Sequence, residues 1–244
     1  MKQAIIGKTV ALLRFLTAVA ILKENNVKLV IFDLDNTLIA GDSDHAWGEF
    51  LITKELVNPI EHAQKNDHFY QQYQQQALDI HEYQAFVLAP LIKLDHQTKQ
   101  ALHYEFMQTV ISDLRLEKSD KLIKEHQDAG DKLIIITATN SFISAPIGKW
   151  LGIDIVIATE PEIVDGKFTG KVSGTPCFQE GKITRLNQWL SSQEENLAEV
   201  TFYSDSINDL PLLKHVDHPV VVDPDDMLRA EAVAQHWPII SLRD

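Results

Sequence analysis

Five short apolar runs, alternating with amphipathic stretches, constrain this chain more than any other feature. They are Val27–Phe32, 133–136, 153–157, 200–203 and 219–222, and Lys28 is the polar exception in the first. Continuous apolar runs of this length mark strands buried on both faces, as in parallel sheets covered by helices. The spacing predicts helices over about 116–129, 141–151, 181–193, 207–215 and 225–235, the first ending at Gly130. Strand alternating with helix implies an α/β fold: a parallel sheet with right-handed crossovers.

One interval breaks the rhythm. Between Leu38 and about Asp113 no buried strand is legible; the spacing is helical and rich in aromatics, among them Trp47, Phe69, Tyr70, Tyr73 and Tyr83. We read 41–112 as an inserted helical module, and 27–40 with 113–244 as the core. A smaller interruption at 162–172 alternates around Asp165-Gly166, a hairpin signal. Residues 1–26 read as an amphipathic extension, with a weak targeting segment or an upstream start as the alternatives. Their apolar stretch is broken by Arg14 and is shorter than the roughly 20 residues a spanning helix needs, so no stable membrane association is expected.

The length, 244 residues, allows one large domain or a core plus one module. Lys and Arg number 22 against 35 Asp and Glu, a net charge of −13. A chain this acidic lacks the basic footprint of a general nucleic-acid binder. A phosphate substrate stays admissible if a metal ion supplies positive charge. The single cysteine, Cys177, excludes an internal disulfide framework and a multi-Cys zinc site, and it fits a cytoplasmic location. Nothing in the sequence sets an oligomeric state.

Four segments carry chemistry. The first strand runs directly into Asp33-Leu34-Asp35-Asn36-Thr37. Alternation puts Asp33 and Asp35 on one side, at the strand end where open α/β sheets bind ligands. Alone, the pair reads as turn or helix-capping aspartates. Thr137-Ala138-Thr139-Asn140 follows the second run, where a hydroxyl and helix N-terminal amides can hold a phosphate; alone, it is an N-cap signature. Lys182 stands where a helix begins, against the dipole preference for acids, which suggests that it meets an anion. Asp205-Ser206-Ile207-Asn208-Asp209 follows another strand and offers oxygen ligands suited to Mg2+.

In this order, the four segments resemble the motifs of the haloacid dehalogenase (HAD) superfamily of phosphatases over about residues 27–240. The helical insertion and the phrasing of the second and fourth segments are similar to subfamily IB, the phosphoserine-phosphatase-like group, with a C1 cap. The resemblance implies a Rossmann-like core and an aspartyl-phosphate formed on Asp33. It also implies Mg2+ held by Asp33, the Asp35 backbone carbonyl and Asp205, with Asp209 behind them. Asp35 would be the general acid and base. Thr137, the Ala138 backbone and Lys182 would hold the phosphate, and Asn208 would support it. The presence of all these groups argues against a catalytically silent binding protein on this fold; transfer of the phosphoryl group to an alcohol remains a rival to hydrolysis.

The insertion should choose the substrate. It contains no arginine, only Lys54, Lys65, Lys93 and Lys99, so it shows no bidentate clamp for a carboxylate. Asp42, Asp44, His45, Trp47 and Glu49 follow the first motif and suit an amine or a heteroaromatic ring. That ranks a histidinol phosphate of the kind taken by some IB phosphatases first, phosphoserine second and broad small phosphomonoesters third. The competing reading of the three acids is a solvated first helical turn.

Overall fold

The computed structural model describes residues 27–193 and 197–243; the reading of 1–26 lies outside the described residues. A six-stranded parallel sheet forms the centre, in the order β3-β2-β1-β6-β7-β8. Its strands are β1 (Val27–Phe32), β2 (Lys132–Asn140), β3 (Val156–Thr159), β6 (Leu197–Ser204), β7 (His218–Val222) and β8 (Ile239–Ile240). β1 is central, pairing Phe32 with Ile135 of β2 on one side and with Tyr203 of β6 on the other. The chain leaves β1 toward β2 and β3, then returns to β6 and continues outward to β7. The order therefore reverses between β1 and β6, and the crevice at their carboxyl ends is the topological switch point where such sheets bind ligands.

Alternation along β1 explains why both faces are covered. Val30 and Phe32 enter a cluster with Ile123 of α5 (Glu117–Ala129) and Ile143 and Ile147 of α6 (Ser141–Trp150). Leu29 and Ile31 face Leu186 of α7 (Glu180–Leu190), Leu212 of α8 (Leu210–Leu213) and Leu228 of α9 (Asp226–Gln235). Each such side chain removed from water contributes about 1.5–3 kcal/mol.

Four α-helices lie between β1 and α5, α1 (Ser43–Thr53), α2 (Pro59–Gln74), α3 (Ile80–Ile92) and α4 (His96–Thr109), followed by a 3-10 turn, Ile111–Leu114. Side-chain caps at Asp42, Asn58, Asp79 and Asp95 start all four. Trp47, fully buried, packs edge-on to Phe106 of α4 and Phe142 of α6, tying this layer to the rest. The hairpin appears as β4 (Pro161–Val164) and β5 (Lys167–Val172), with Asp165 and Gly166 both at positive φ.

Three elements differ from the sequence reading. β3 begins at Val156 rather than 153; Ile153 is buried from a loop, so its apolarity reported burial and not strand. The stretch predicted as helix over 207–215 is a 3-10 turn, Ile207–Asp209, followed by the single turn of α8. β8, two residues long, is too short to leave a pattern. Among the described residues no helix is long and apolar enough to cross a membrane.

Candidate active site

The loop after β1 is a compact turn. The Asp33 amide continues the ladder to the Tyr203 carbonyl at 2.9 Å, and the Leu34 carbonyl accepts the amides of Thr37, Leu38 and Ile39. Asn36 takes φ 56°, a conformation Asn tolerates better than most residues. The turn brings Asp33, 4% exposed, and Asp35 toward the switch-point crevice. Asp35 is pinned: one carboxylate oxygen accepts the Ser43 amide (2.7 Å), the other the hydroxyls of Thr139 (2.8 Å) and Thr137 (3.4 Å). Thr37 clamps the facing loop, donating to Asp205 (2.9 Å) while accepting the Asp205 amide (3.1 Å).

Lys182 lies in the first turn of α7, and its dipole misfit has a visible cause. It is 2% exposed, and its ammonium meets Asp33 at 2.8 Å and Asp209 at 2.6 Å. Burial alone would lower its pKa; Asp209 and Asp33 outweigh that and raise it, so Lys182 stays charged. Asp209 also accepts the Ser204 hydroxyl at 2.7 Å. The turn delivering Lys182 is tight. A Cβ on Gly181 would stand 2.0 Å from the Pro176 carbonyl oxygen, and Gln179 takes φ 49°, ψ −123°.

The charge balance is uneven. Burial pushes the Asp33 carboxyl up to about 7; Lys182 opposes this, and Asp209 and Asp35 add to it. Burial and the Asp33 charge hold Asp205 well above the carboxylate range. Two buried carboxylates, Asp33 and Asp209, share the Lys182 ammonium, and half-buried Asp205 adds a third acid that feels both, an arrangement that favours a further cation. Among the described residues no three His, Cys, Asp or Glu side chains converge as a complete metal cage. Two carboxylates, Asp33 and Asp205, with a backbone carbonyl would make an all-oxygen donor set, which suits Mg2+ better than zinc.

Beside Asp33 and Asp35 lies an inner cavity of about 30 Å³. Asp42, Asp44, Thr137, Ala138 and Thr139 line it with Phe69, Tyr70, Tyr73 and Tyr83 from α2 and α3. Asp42 is half-buried and caps α1; burial, then Asp35, raises it to about 6. Asp44 is buried, and burial, then Asp42 and Asp35, hold its carboxyl well above the usual carboxylate range. The other three residues of that group go elsewhere. Trp47 is core, His45 bonds Asp67 at 3.1 Å, and Glu49 lines a separate groove with Lys54 and Glu105.

Sequence reasoning had missed several groups. Thr139 holds Asp35 more closely than Thr137 does. Arg243 donates to the Asn36 carbonyl at 2.9 Å and pairs with Asp223 at 3.3 Å, a brace on the loop after β1 that sequence distance concealed. The α2 and α3 tyrosines were legible only as aromatic content. Asn208, 2% exposed, turns its amide to protein partners.

The comparisons with known proteins agree with this geometry. The model of haloacid dehalogenase-like hydrolases matches residues 30–214. A histidinol-phosphatase of Neisseria meningitidis serogroup C is 45% identical over 219 residues, covering 88% of this chain and 99% of the relative. A phosphoserine phosphatase of Mycobacterium tuberculosis is 31% identical, covering 87% of this chain and 70% of the relative. Among solved structures, a Bordetella pertussis protein of unknown function superimposes with TM-score 0.84 at 39% identity, covering 89% of this chain and 100% of that one. A substrate-bound phosphoserine phosphatase superimposes with TM-score 0.66 at 18% identity, covering 89% and 94%, which shows the shared fold. An α/β sheet with its acids gathered at the switch point, and a family match spanning that whole site, place the chain in the family of haloacid dehalogenase-like hydrolases.

Proposed function

We propose that the protein is a Mg2+-dependent phosphatase of histidinol phosphate, acting in the cytoplasm through an aspartyl-phosphate on Asp33. The carrying observation is the composition of the inner cavity. Its wall offers acids, Asp42 and Asp44, and aromatic faces, Phe69, Tyr70, Tyr73 and Tyr83, and none of its lining residues is Arg or Lys. A cationic amine and a flat heteroaromatic ring suit such walls; a second carboxylate does not. The 45%-identical relative bears the same activity in its name.

In this reading 27–40 and 113–244 form the catalytic core and 41–112 the cap. Asp33 attacks phosphorus in line: its carboxylate oxygen gains the P–O bond as the bond to the substrate alkoxide breaks. Lys182 engages one Asp33 oxygen, and the other is the attacking atom. Asp35, held by Ser43 and Thr139, gives its proton to the alkoxide, then takes one from the water that hydrolyses the acyl phosphate. Thr137, the Ala138 amide and Lys182 hold the phosphoryl oxygens, while Asp209 fixes the ammonium. Mg2+, when bound by Asp33, Asp205 and the Asp35 carbonyl, offsets the charge developing on the phosphoryl oxygens.

Phosphate release from histidinol phosphate, phosphoserine and a sugar phosphate tests the assignment. We expect kcat/KM for histidinol phosphate to lead by about tenfold or more, because a charged partner left unpaired discriminates strongly. Equal rates, or a lead for phosphoserine, would remove it. The 31%-identical phosphoserine phosphatase keeps that second reading in the comparison.

A further inference from the structure

Asn208 lies between Asp205 and Asp209, yet its side chain is already committed. A primary amide has two donor hydrogens and one carbonyl oxygen. Here Nδ2 donates to the Tyr73 backbone carbonyl (3.0 Å) and to the Ser206 hydroxyl (3.3 Å). Oδ1 accepts from Nε2 of Gln179 (3.2 Å). Both donors are used, so neither is left for a phosphate oxygen.

Two of these partners, Tyr73 and Gln179, belong to distant parts of the chain. Tyr73 is in the last turn of α2, and its carbonyl accepts the Gln76 amide at 3.1 Å as well as the Asn208 amide. Its hydroxyl also reaches the Ser206 hydroxyl at 3.2 Å. Tyr70 and Tyr73 line both the inner cavity and an outer one of about 430 Å³ that contains Asp205, so this turn is the wall between them. Gln179 is the strained residue that opens α7, and its carbonyl accepts the Lys182 amide at 3.1 Å. A left-handed φ on a glutamine persists only where its surroundings hold it, and the Asn208 amide is a partner of that side chain.

We propose that Asn208 is a positioning residue that couples the seating of α2 over the site to the placement of Lys182. With the α2 turn seated, Tyr73 orients the Asn208 amide, Asn208 holds Gln179, and Gln179 sets the turn from which Lys182 reaches Asp33. With that turn lifted, the inner and outer cavities join for exchange of substrate and product, and Lys182 loses its support. The inference rests on the phosphatase reading through Asp33 and Lys182.

The test uses the full-length protein with Mg2+ and para-nitrophenyl phosphate. Hydrolysis by the wild type, and its loss in Asp33→Asn, tests the phosphatase reading separately and first. Gln179→Ala, Asn208→Ala and the double variant then test the coupling. Each single variant should lower kcat about tenfold to hundredfold, the effect of a small misplacement of a catalytic group. KM should stay within about threefold, and the double variant should be no worse than the poorer single one. Amide exchange over residues 71–77 should quicken in Gln179→Ala, a variant that alters no residue of α2. A kcat for Gln179→Ala within about twofold of wild type, multiplying losses in the double variant, or unchanged exchange over 71–77 would each overturn the proposal. If Asn208→Ala does not fold, the kinetics and exchange of Gln179→Ala decide it.

Discussion

The carboxylate of Asp42 accepts the His45 amide as the N-cap of α1 and also lines the inner cavity. Its pKa, raised to about 6 by burial and by Asp35, makes it ionised above that pH and neutral below. A cationic substrate amine needs the ionised form. KM for histidinol phosphate should therefore be flat above neutrality and rise as pH falls through about 6. KM for para-nitrophenyl phosphate, which has no amine, should lack that component; the imidazole and phosphate of histidinol phosphate titrate in the same range, so the profile of Asp42→Asn on the same substrate isolates Asp42. Asp42→Asn keeps a good cap but removes the charge. It should raise KM for histidinol phosphate about ten- to hundredfold, the worth of a charge-assisted hydrogen bond. An unchanged KM in that variant would remove Asp42 from substrate recognition.

At the scale of elements, the sheet and its helices were legible wherever one physical pattern ran long enough. Val27–Phe32 showed as a buried strand because both of its faces are covered, and Gly130 marked the end of α5 because its φ is 79°. Ile153 misled, since apolarity reports burial and a loop can bury an isoleucine as well as a strand can. Within the site, Asp33, Asp35, Lys182, Asp205 and Asp209 could be read because each stands beside a strand end or helix start. Tyr73, Gln179 and Arg243 could not, because their contacts join residues far apart in sequence and carry no local period. Gly181 also escaped notice, although α7 depends on it. A methyl group there would meet the Pro176 carbonyl oxygen at 2.0 Å, and a backbone atom cannot yield as a side-chain tip does. Gly181→Ala should cost about 1–3 kcal/mol, lowering Tm by about 2–4 °C per kcal/mol, and should displace Lys182. A variant with wild-type Tm and kcat would show that the turn relaxes freely.

At the scale of the whole molecule, the net charge of −13 gains a local meaning. The segment 41–112 has ten acids against four lysines, and Asp42 and Asp44 of those acids line the inner cavity. Asp33 and Asp209 are packed into the core around Lys182, with half-buried Asp205 close enough to feel both. Burying carboxylates without enough compensation works against folding, and burial is what pushes Asp33 and Asp205 upward. A divalent cation bound to the folded chain would relieve that opposition, and the unfolded chain offers no assembled site. Mg2+ should therefore stabilise the fold by mass action, by about 2.7 kcal/mol at a hundred times its Kd. For a chain of this length that is a rise in Tm of about 5–11 °C, reversed by EDTA. Asp205→Asn should abolish most of the rise while leaving the Lys182 pair with Asp33 and Asp209 in place. Calorimetry of both proteins with and without Mg2+ decides the matter. No rise in the wild type, or the same rise in Asp205→Asn, would show that the excess acidity at the switch point is not a cation site.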